Sequence, residues 1–258
     1  MFKSLLIAAA ALYCTGAPAA ELTAQELAWL RAAAPVLAYA RGQQLPIDIV
    51  VQPLAGPNDV PMAMGFEGKR CKLVLSMRGR SDDVDAIFDG VAMERRAWMI
   101  EAMAAHEVGH CWRWVQGVWH ALPAGFTVGA GAAGETAETI ETIETAESNE
   151  VAATAEQRLA VLRRELRQTR REEGFSDLVA LAWTARRDAG SDGGGDAVRY
   201  RAVLAWLHAV RSAAPLPGGG HDTLAWLALA RDPATFARAA TPFEAVAGVW
   251  SAGLLQDE

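Results

Sequence analysis

The sequence predicts an α+β fold that is predominantly helical, in which a small sheet precedes a long helix and the C-terminal half is helical. Two short runs, Ile47 to Gln52 and Cys71 to Met77, are rich in β-branched or alternating apolar residues and predict strands. Between about Met93 and Val118, apolar residues recur at spacings of three and four, which predicts a helix. The same periodicity dominates the chain after about Thr154. Hydrophobic residues make up 52% of the 258 residues, enough to bury a substantial core.

Capping residues mark where the individual helices begin and end. Thr23 and Glu26 form a capping box at the start of the first helix. Pro35 is expected to kink or split this helix, and Gly42 to end it. The later helices are predicted at residues 154–187 (with Gly174 as a bend or junction), at 197–212, at 223–230, from Pro233 behind the N-cap Asp232, and from Pro242 behind a second capping box of Thr241 and Glu244.

Residues 1–20 have the pattern of a secretion signal. Lys3 supplies a positive charge, Leu5 to Leu12 an apolar stretch, and Ala17 to Ala19 a small-residue cleavage site. The apolar stretch is shorter than a bilayer requires, and charged residues interrupt every later one. We therefore expect an exported protein, periplasmic or secreted from a bacterium, with no stable membrane span after cleavage. The net charge of −7 argues against nucleic acid as its partner.

The mature chain, residues 21–258, is predicted to form one domain that carries an acidic insertion. Within residues 122–156, a glycine-rich run gives way to a low-complexity stretch, ETAETIETIETAESNE. Because this stretch has no apolar face wide enough to bury, we expect a mobile loop there rather than a solvated helix. Removal of the signal leaves two cysteines, Cys71 and Cys111, and an even pair in an oxidising compartment is a disulfide candidate.

The motif that carries chemistry reads HEVGH and lies in the C-terminal half of the predicted helix 93–118. His106 and His110 are four residues apart, so on a helix both imidazoles face one side, where a zinc ion can bind both. Glu107 follows the first ligand and is placed to act as general base toward a water molecule that the metal activates. Gly109, inside the motif, permits close packing against a neighbouring element.

A third metal ligand is predicted in the run EGFSD, residues 173–177. Glu173 would complete a site of two histidines and one carboxylate with an open fourth position. Asp177 lies one helical turn later and can accept a hydrogen bond from the far nitrogen of a ligand histidine. HEVGH followed by E-x-x-S-D resembles the gluzincin metallopeptidases, which include the thermolysin-like enzymes and the HtpX/CAAX-prenyl-protease group.

The resemblance covers the two motif helices and implies a zincin-like sheet and helix arrangement. It implies a Zn²⁺ ion held by His106, His110 and Glu173, with Asp177 orienting a ligand. The chain departs from the thermolysin-like pattern in spacing, since Glu173 lies 63 positions (173 − 110) after the second histidine. The acidic insertion would explain much of this gap. The chain also lacks the membrane spans of the HtpX group.

Other zinc-binding patterns fit this chain less well. The metzincin pattern would need a glycine at position 113 and a histidine at 116, where this chain has Arg113 and Gln116. Other residues that could serve as the third ligand are Glu172 (which has no acidic partner four residues on), Asp177, His120 and His208.

The gluzincin resemblance also implies a role for a late histidine. His221 follows three glycines and precedes a predicted helix, so it is the candidate donor to the oxyanion that forms during attack on a carbonyl. Tyr200 and His208 are the alternatives for this role.

The same resemblance implies that the strand before the motif helix lines the substrate cleft. It places the run Cys71 to Met77 at the sheet edge, where an extended peptide can add through main-chain hydrogen bonds. Cys71 would then lie near the motif helix, and a bridge to Cys111 would join strand and helix. Two separate buried thiols are the alternative.

These features together predict an exported zinc metalloendopeptidase that acts on a peptide or protein substrate, with Glu107 and His221 as catalytic residues. The main alternative is a non-catalytic binding or assembly factor of the cell envelope on a zincin fold, although the intact Glu107 counts against it. A zinc hydrolase of non-peptide amides is a third interpretation. Most tryptophans are expected in the core (Trp183, Trp206, Trp226), and Trp112 or Trp114 could line the cleft.

Overall fold

The computed structural model describes residues 21–54, 60–79, 81–123, 126, 155–190, 197–213 and 218–255. The predicted secretion signal and nearly all of the predicted acidic insertion lie outside these residues. The described elements are α1 (Ala24–Gly42), β1 (Ile47–Val51), β2 (Met62–Glu67), β3 (Arg70–Leu75), α2 (Ser81–Ala86), α3 (Met93–Val115), α4 (Ala155–Ala189), α5 (Val198–Ser212), α6 (Leu224–Leu229), a 3₁₀ helix (Pro233–Phe236) and α7 (Pro242–Leu254). The fold is α+β and mostly helical, as predicted. None of the described helices is both long enough and apolar enough to cross a membrane.

The three strands form one small sheet in the order β1–β3–β2. β3 pairs in parallel with β1 and antiparallel with β2. The predicted strand Cys71 to Met77 is therefore the central strand, and its expected place at the sheet edge is wrong. The strand at the edge, in contact with α3, is β2. It was missed because Gly65 interrupts a run of six residues, although the alternation of Met62, Met64 and Phe66 was an available signal.

Two expected helix breaks do not occur. α1 begins with the predicted Thr23–Glu26 capping box, and it continues through Pro35 as one helix that ends at Gly42. α4 is likewise one helix of 35 residues, so Gly174 marks no junction. A Cβ atom at Gly174 would lie 2.5 Å from the ring of the buried Trp226. This glycine therefore leaves room for the indole.

α3 packs against both the sheet and several other helices. It contacts α1, β2, β3, α4 and α5. The Cys71–Cys111 disulfide joins β3 to α3 with a Cα–Cα distance of 5.8 Å, as predicted, and both cysteines are buried. Because Cys111 directly follows His110, the bridge fixes the motif half of α3 against the sheet.

α3 and α4 pack closely at the motif. A Cβ atom at Gly109 would lie 3.2 Å from the Cα atom of Ser176 and 3.3 Å from the Cβ atom of Val179. The absence of a side chain at Gly109, as expected from the sequence, thus lets the two helices approach where the predicted ligands face each other.

Candidate metal centre

The two histidines of the HEVGH motif lie on one face of α3. Their Nε2 atoms are 2.9 Å apart, and their rings meet edge to face with centroids 4.6 Å apart. Both are buried, with relative exposures of 9% for His106 and 8% for His110. Two ring nitrogens therefore converge on one nearly enclosed point.

Glu173 of α4 faces the same point. Its Oε2 lies 3.5 Å from His106 Nε2, and its Oε1 lies 3.4 Å from His110 Nε2. All three ligand atoms lie within 4.8 Å of one another. Bonds of about 2.0–2.1 Å to a tetrahedral zinc ion place neighbouring ligand atoms about 3.3 Å apart, and the observed separations bracket that value. The three predicted ligands therefore form a group that could hold a metal ion.

The outer nitrogens of the two histidines are already engaged. His106 Nδ1 lies 2.9 Å from Asp177 Oδ1, and because an ionised carboxylate only accepts, the ring donates this hydrogen bond. His110 Nδ1 lies 3.0 Å from Ser176 Oγ. A neutral imidazole with its proton on Nδ1 carries a lone pair on Nε2. The hydrogen bond to Asp177 gives neutral His106 this form, with its Nε2 lone pair toward the shared point, as in metal-binding histidines. The Ser176 hydroxyl can either accept from His110 Nδ1 or donate to it.

Side chains from α5 and from the start of α6 hold the Asp177 carboxylate. Arg211 donates from Nε and Nη2 to Asp177, at 2.8 Å each, and from Nη2 to Glu173 at 3.0 Å. Thr223 Oγ1 donates to Asp177 Oδ2 at 2.6 Å. Although burial opposes ionisation, Arg211 and His106 hold the pKa of Asp177 far below its ordinary value. The sequence did not predict the roles of Arg211 and Thr223, because their contacts with Asp177 span 34 and 46 residues and leave no local pattern.

The charges around the group favour a cation between the histidines. Burial alone would raise the pKa of Glu173, but the two histidines and Arg211 lower it to about 2. Burial likewise opposes a charged His106, yet the surrounding carboxylates raise its pKa on balance. Two ionised carboxylates thus face one arginine, which leaves negative charge for a proton or a metal ion to neutralise.

Glu107 lies between this group and the edge strand. Its half-buried carboxyl accepts a hydrogen bond from the backbone N–H of Met64 on β2. Burial raises the pKa of Glu107 above its ordinary value, although the two histidines act in the opposite direction. The carboxyl is therefore placed to exchange protons with a molecule bound between β2 and the histidines.

His221 lies at the rim of the group, in the segment before α6. Its Nε2 is 3.8 Å from Glu173 Oε1, and its side chain is 63% exposed. The alternatives for its role lie elsewhere. Tyr200 is buried and donates to the backbone oxygen of Ala230, and His208 lies on an exposed face of α5 beside Ser212.

The alternative third ligands have other partners. Glu172 accepts hydrogen bonds from Arg113 at 2.7 and 2.9 Å and from the backbone N–H of His120 at 2.9 Å. Its side chain is only 2% exposed. Asp177 accepts a hydrogen bond from His106 Nδ1, on the side of the ring away from the shared point. Within the described residues, the metal-ligand group consists of His106, His110 and Glu173.

Aromatic rings wall one side of the group. Trp119 meets His110 edge-on, with ring centroids 5.5 Å apart. Phe66 of β2 stacks on Trp114 at 4.9 Å and meets Trp119 at 5.3 Å. Trp112 instead stacks on core phenylalanines. Trp114 thus lies on the side of the metal group, next to Phe66, and Trp119, which the sequence did not indicate, contacts His110 directly.

No family model, curated protein or solved structure matches the chain. The gluzincin resemblance remains a prediction carried by the two motifs. What the chain does is therefore inferred from the chemistry of the metal group.

Proposed function

We propose that this chain is an exported zinc-dependent metallopeptidase of gluzincin type. The convergence of His106, His110 and Glu173, beside the carboxyl of Glu107, is the observation that carries the proposal. Two imidazoles and one carboxylate form the donor set of catalytic zinc sites that keep a fourth position open. When bound there, zinc supplies a Lewis acid that polarises a carbonyl and lowers the pKa of a water molecule.

The residues around the group have separate roles in this proposal. Glu107 takes the proton of the attacking water and later passes it to the leaving amine. His221 donates a hydrogen bond to the oxyanion that develops on the substrate carbonyl. Asp177 and Ser176 hold the two ligand rings by their Nδ1 atoms, so that the rings need no reorientation on metal binding.

An open sheet edge beside Glu107 favours a peptide over a small amide. Among the described strands, β2 pairs only with β3, so its other edge is open. At the end of this pair the backbone N–H of Ser76 donates to the backbone oxygen of Pro61. In an antiparallel pair, hydrogen-bonded and non-hydrogen-bonded residues alternate along each strand. The main-chain groups of Met62, Met64 and Phe66 therefore face away from β3, and of these the N–H of Met64 donates to Glu107. An extended peptide can add to this edge and pass the metal group.

Replacement of the general base tests the proposed reaction. In Glu107→Gln the three ligands are unchanged, so we expect zinc to stay bound while peptide hydrolysis falls by about 10²–10⁴-fold. The measurement is cleavage of a mixed peptide library followed by mass spectrometry, together with metal analysis of each variant. Glu94→Gln, an exposed carboxylate on the same helix, is the matched control and should keep full activity.

Two outcomes would contradict the proposal. Full activity in Glu107→Gln would remove Glu107 from the mechanism. A wild-type protein that binds zinc but cleaves no library peptide would favour the non-catalytic envelope factor instead.

A further inference from the structure

A cavity away from the metal group lies between α5 and α6. Its volume is about 310 Å³, at the lower end of the ~300–1,000 Å³ range of small-molecule sites. Arg201, Leu204 and His208 line it from one face of α5. Leu227 and Arg231 line it from α6 and the turn that follows.

The lining is divided into an apolar floor and a cationic rim. Leu227 is buried and Leu204 is half-buried, and two alanines complete the floor. Arg201, His208 and Arg231 are exposed and surround it. Of the residues that the structure describes, no acidic side chain lines the cavity. The cavity thus combines positive charge with apolar surface.

The two rim arginines differ from those that hold the fold together. Arg113, Arg199 and Arg211 each bind a carboxylate. In the part of the chain that the structure describes, the guanidinium groups of Arg201 and Arg231 have no hydrogen-bond or ion-pair partner.

Two described acidic residues near the rim in sequence have other partners. Asp232 caps the 3₁₀ helix through the backbone N–H of Ala234, and Asp188 accepts the backbone N–H of Tyr200. Neither carboxylate lines the cavity. Among the described residues, an anion that enters the cavity therefore meets the guanidinium groups of Arg201 and Arg231 and no competing carboxylate.

We propose that this cavity binds a small amphiphilic anion, with a carboxylate or phosphate head between Arg201 and Arg231 and a short hydrocarbon chain on the leucine floor. Guanidinium groups bind both head groups through paired hydrogen bonds. Fully polar anions should bind more weakly, because the apolar floor offers them no hydrogen-bond partners.

Calorimetric titration of the full-length, zinc-loaded protein with octanoate tests this site directly. Octanoate has about ten non-hydrogen atoms, so we expect one saturable site with a Kd of about 1 mM or tighter. Octyl phosphate should bind comparably. Inorganic phosphate and octanol, which each lack half of the ligand, should bind at least about tenfold more weakly.

Matched double variants identify the site. Arg201→Gln with Arg231→Gln should weaken octanoate binding at least about tenfold, the loss expected for one charge-assisted pair. Arg31→Gln with Arg238→Gln removes the same charge at exposed positions outside the cavity and should leave the Kd unchanged. The single variants Arg201→Gln and Arg231→Gln should each give an intermediate loss.

Two results would overturn the proposal. One is the absence of saturable binding of both octanoate and octyl phosphate. The other is an equal Kd in the cavity double variant and the wild type. The lining residues take no part in the proposed peptide hydrolysis, so a failure here leaves that function intact, and the reverse also holds.

Discussion

Two adjacent glutamates of α4 face α3, and they differ in what their oxygens meet. Glu172 accepts hydrogen bonds from the guanidinium of Arg113 and from a backbone N–H. Glu173 faces the Nε2 atoms of His106 and His110 and accepts a hydrogen bond from Arg211 at one oxygen, Oε2. Both carboxylates are well shielded from solvent, with side-chain exposures of 2% and 13%. Burial therefore does not separate a structural ion pair from a candidate metal ligand, whereas the number of hydrogen bonds that the carboxylate already accepts does: three for Glu172 and one for Glu173.

The structural member of this pair should be tested through stability. Glu172→Gln removes the counter-charge of Arg113, which is buried under the ring of Trp250. Breaking one side of a buried ion pair costs about 3–5 kcal/mol. At ~2–4 °C per kcal/mol for a chain of this size, the melting temperature should fall by roughly 10 °C. The measurement is thermal unfolding with parallel zinc analysis.

If Glu173 and not Glu172 is the metal ligand, Glu172→Gln should still bind zinc. Glu165→Gln, an exposed carboxylate on the same helix, is the control and should change stability by less than about 0.5 kcal/mol. Loss of zinc at unchanged stability would mean that the roles of Glu172 and Glu173 are the reverse of those inferred.

Asp177 holds the His106 ring by its Nδ1 atom, so the replacement of Asp177 should lower the metal affinity. Asp177→Asn removes the charge that faces the Nδ1–H of His106 and leaves Arg211 with Glu173 as its remaining carboxylate. Residues that hold ligand histidines typically contribute about 10–100-fold in metal affinity. Zinc titration against a chromophoric chelator would measure this loss. An affinity equal to that of the wild type would remove Asp177 from the metal centre.

Ser176 is expected to have the smallest effect. Its hydroxyl holds His110 as Asp177 holds His106, but it carries no charge. Ser176→Ala keeps the close approach to Gly109, because that glycine also faces the Cα atom of Ser176. We expect zinc affinity to fall by less than about tenfold, below the effect of a charged partner. A loss as large as that of Asp177→Asn would show that charge is not what distinguishes the two partners.

The sequence predicted those parts of the site that depend on helical spacing. His106 and His110 share a face because they are four residues apart, and the same spacing favoured Glu173 over Glu172 through Asp177. Adjacent helical residues point about 100° apart, which is why Glu172 meets Arg113 instead. The disulfide was predicted from the two cysteines that lie outside the predicted secretion signal.

The missed features depend on contacts between distant segments. The edge strand β2 is short and contains Gly65, so its local pattern is weak. Arg211 reaches Glu173 across 38 residues, and nothing in the sequence around it marks that contact. Gly174 suggested a helix break, but the reason for the glycine is the ring of Trp226, which comes from another helix.

The metal content of the purified protein tests the central claim most directly. Zinc per chain should be measured, after dialysis against metal-free buffer, for wild type, Glu172→Gln and Glu173→Gln. The convergence of His106, His110 and Glu173 predicts about one zinc per chain in wild type and in Glu172→Gln, and almost none in Glu173→Gln. A wild-type protein without stoichiometric metal, or equal zinc content in wild type and Glu173→Gln, would contradict a metal centre at this position.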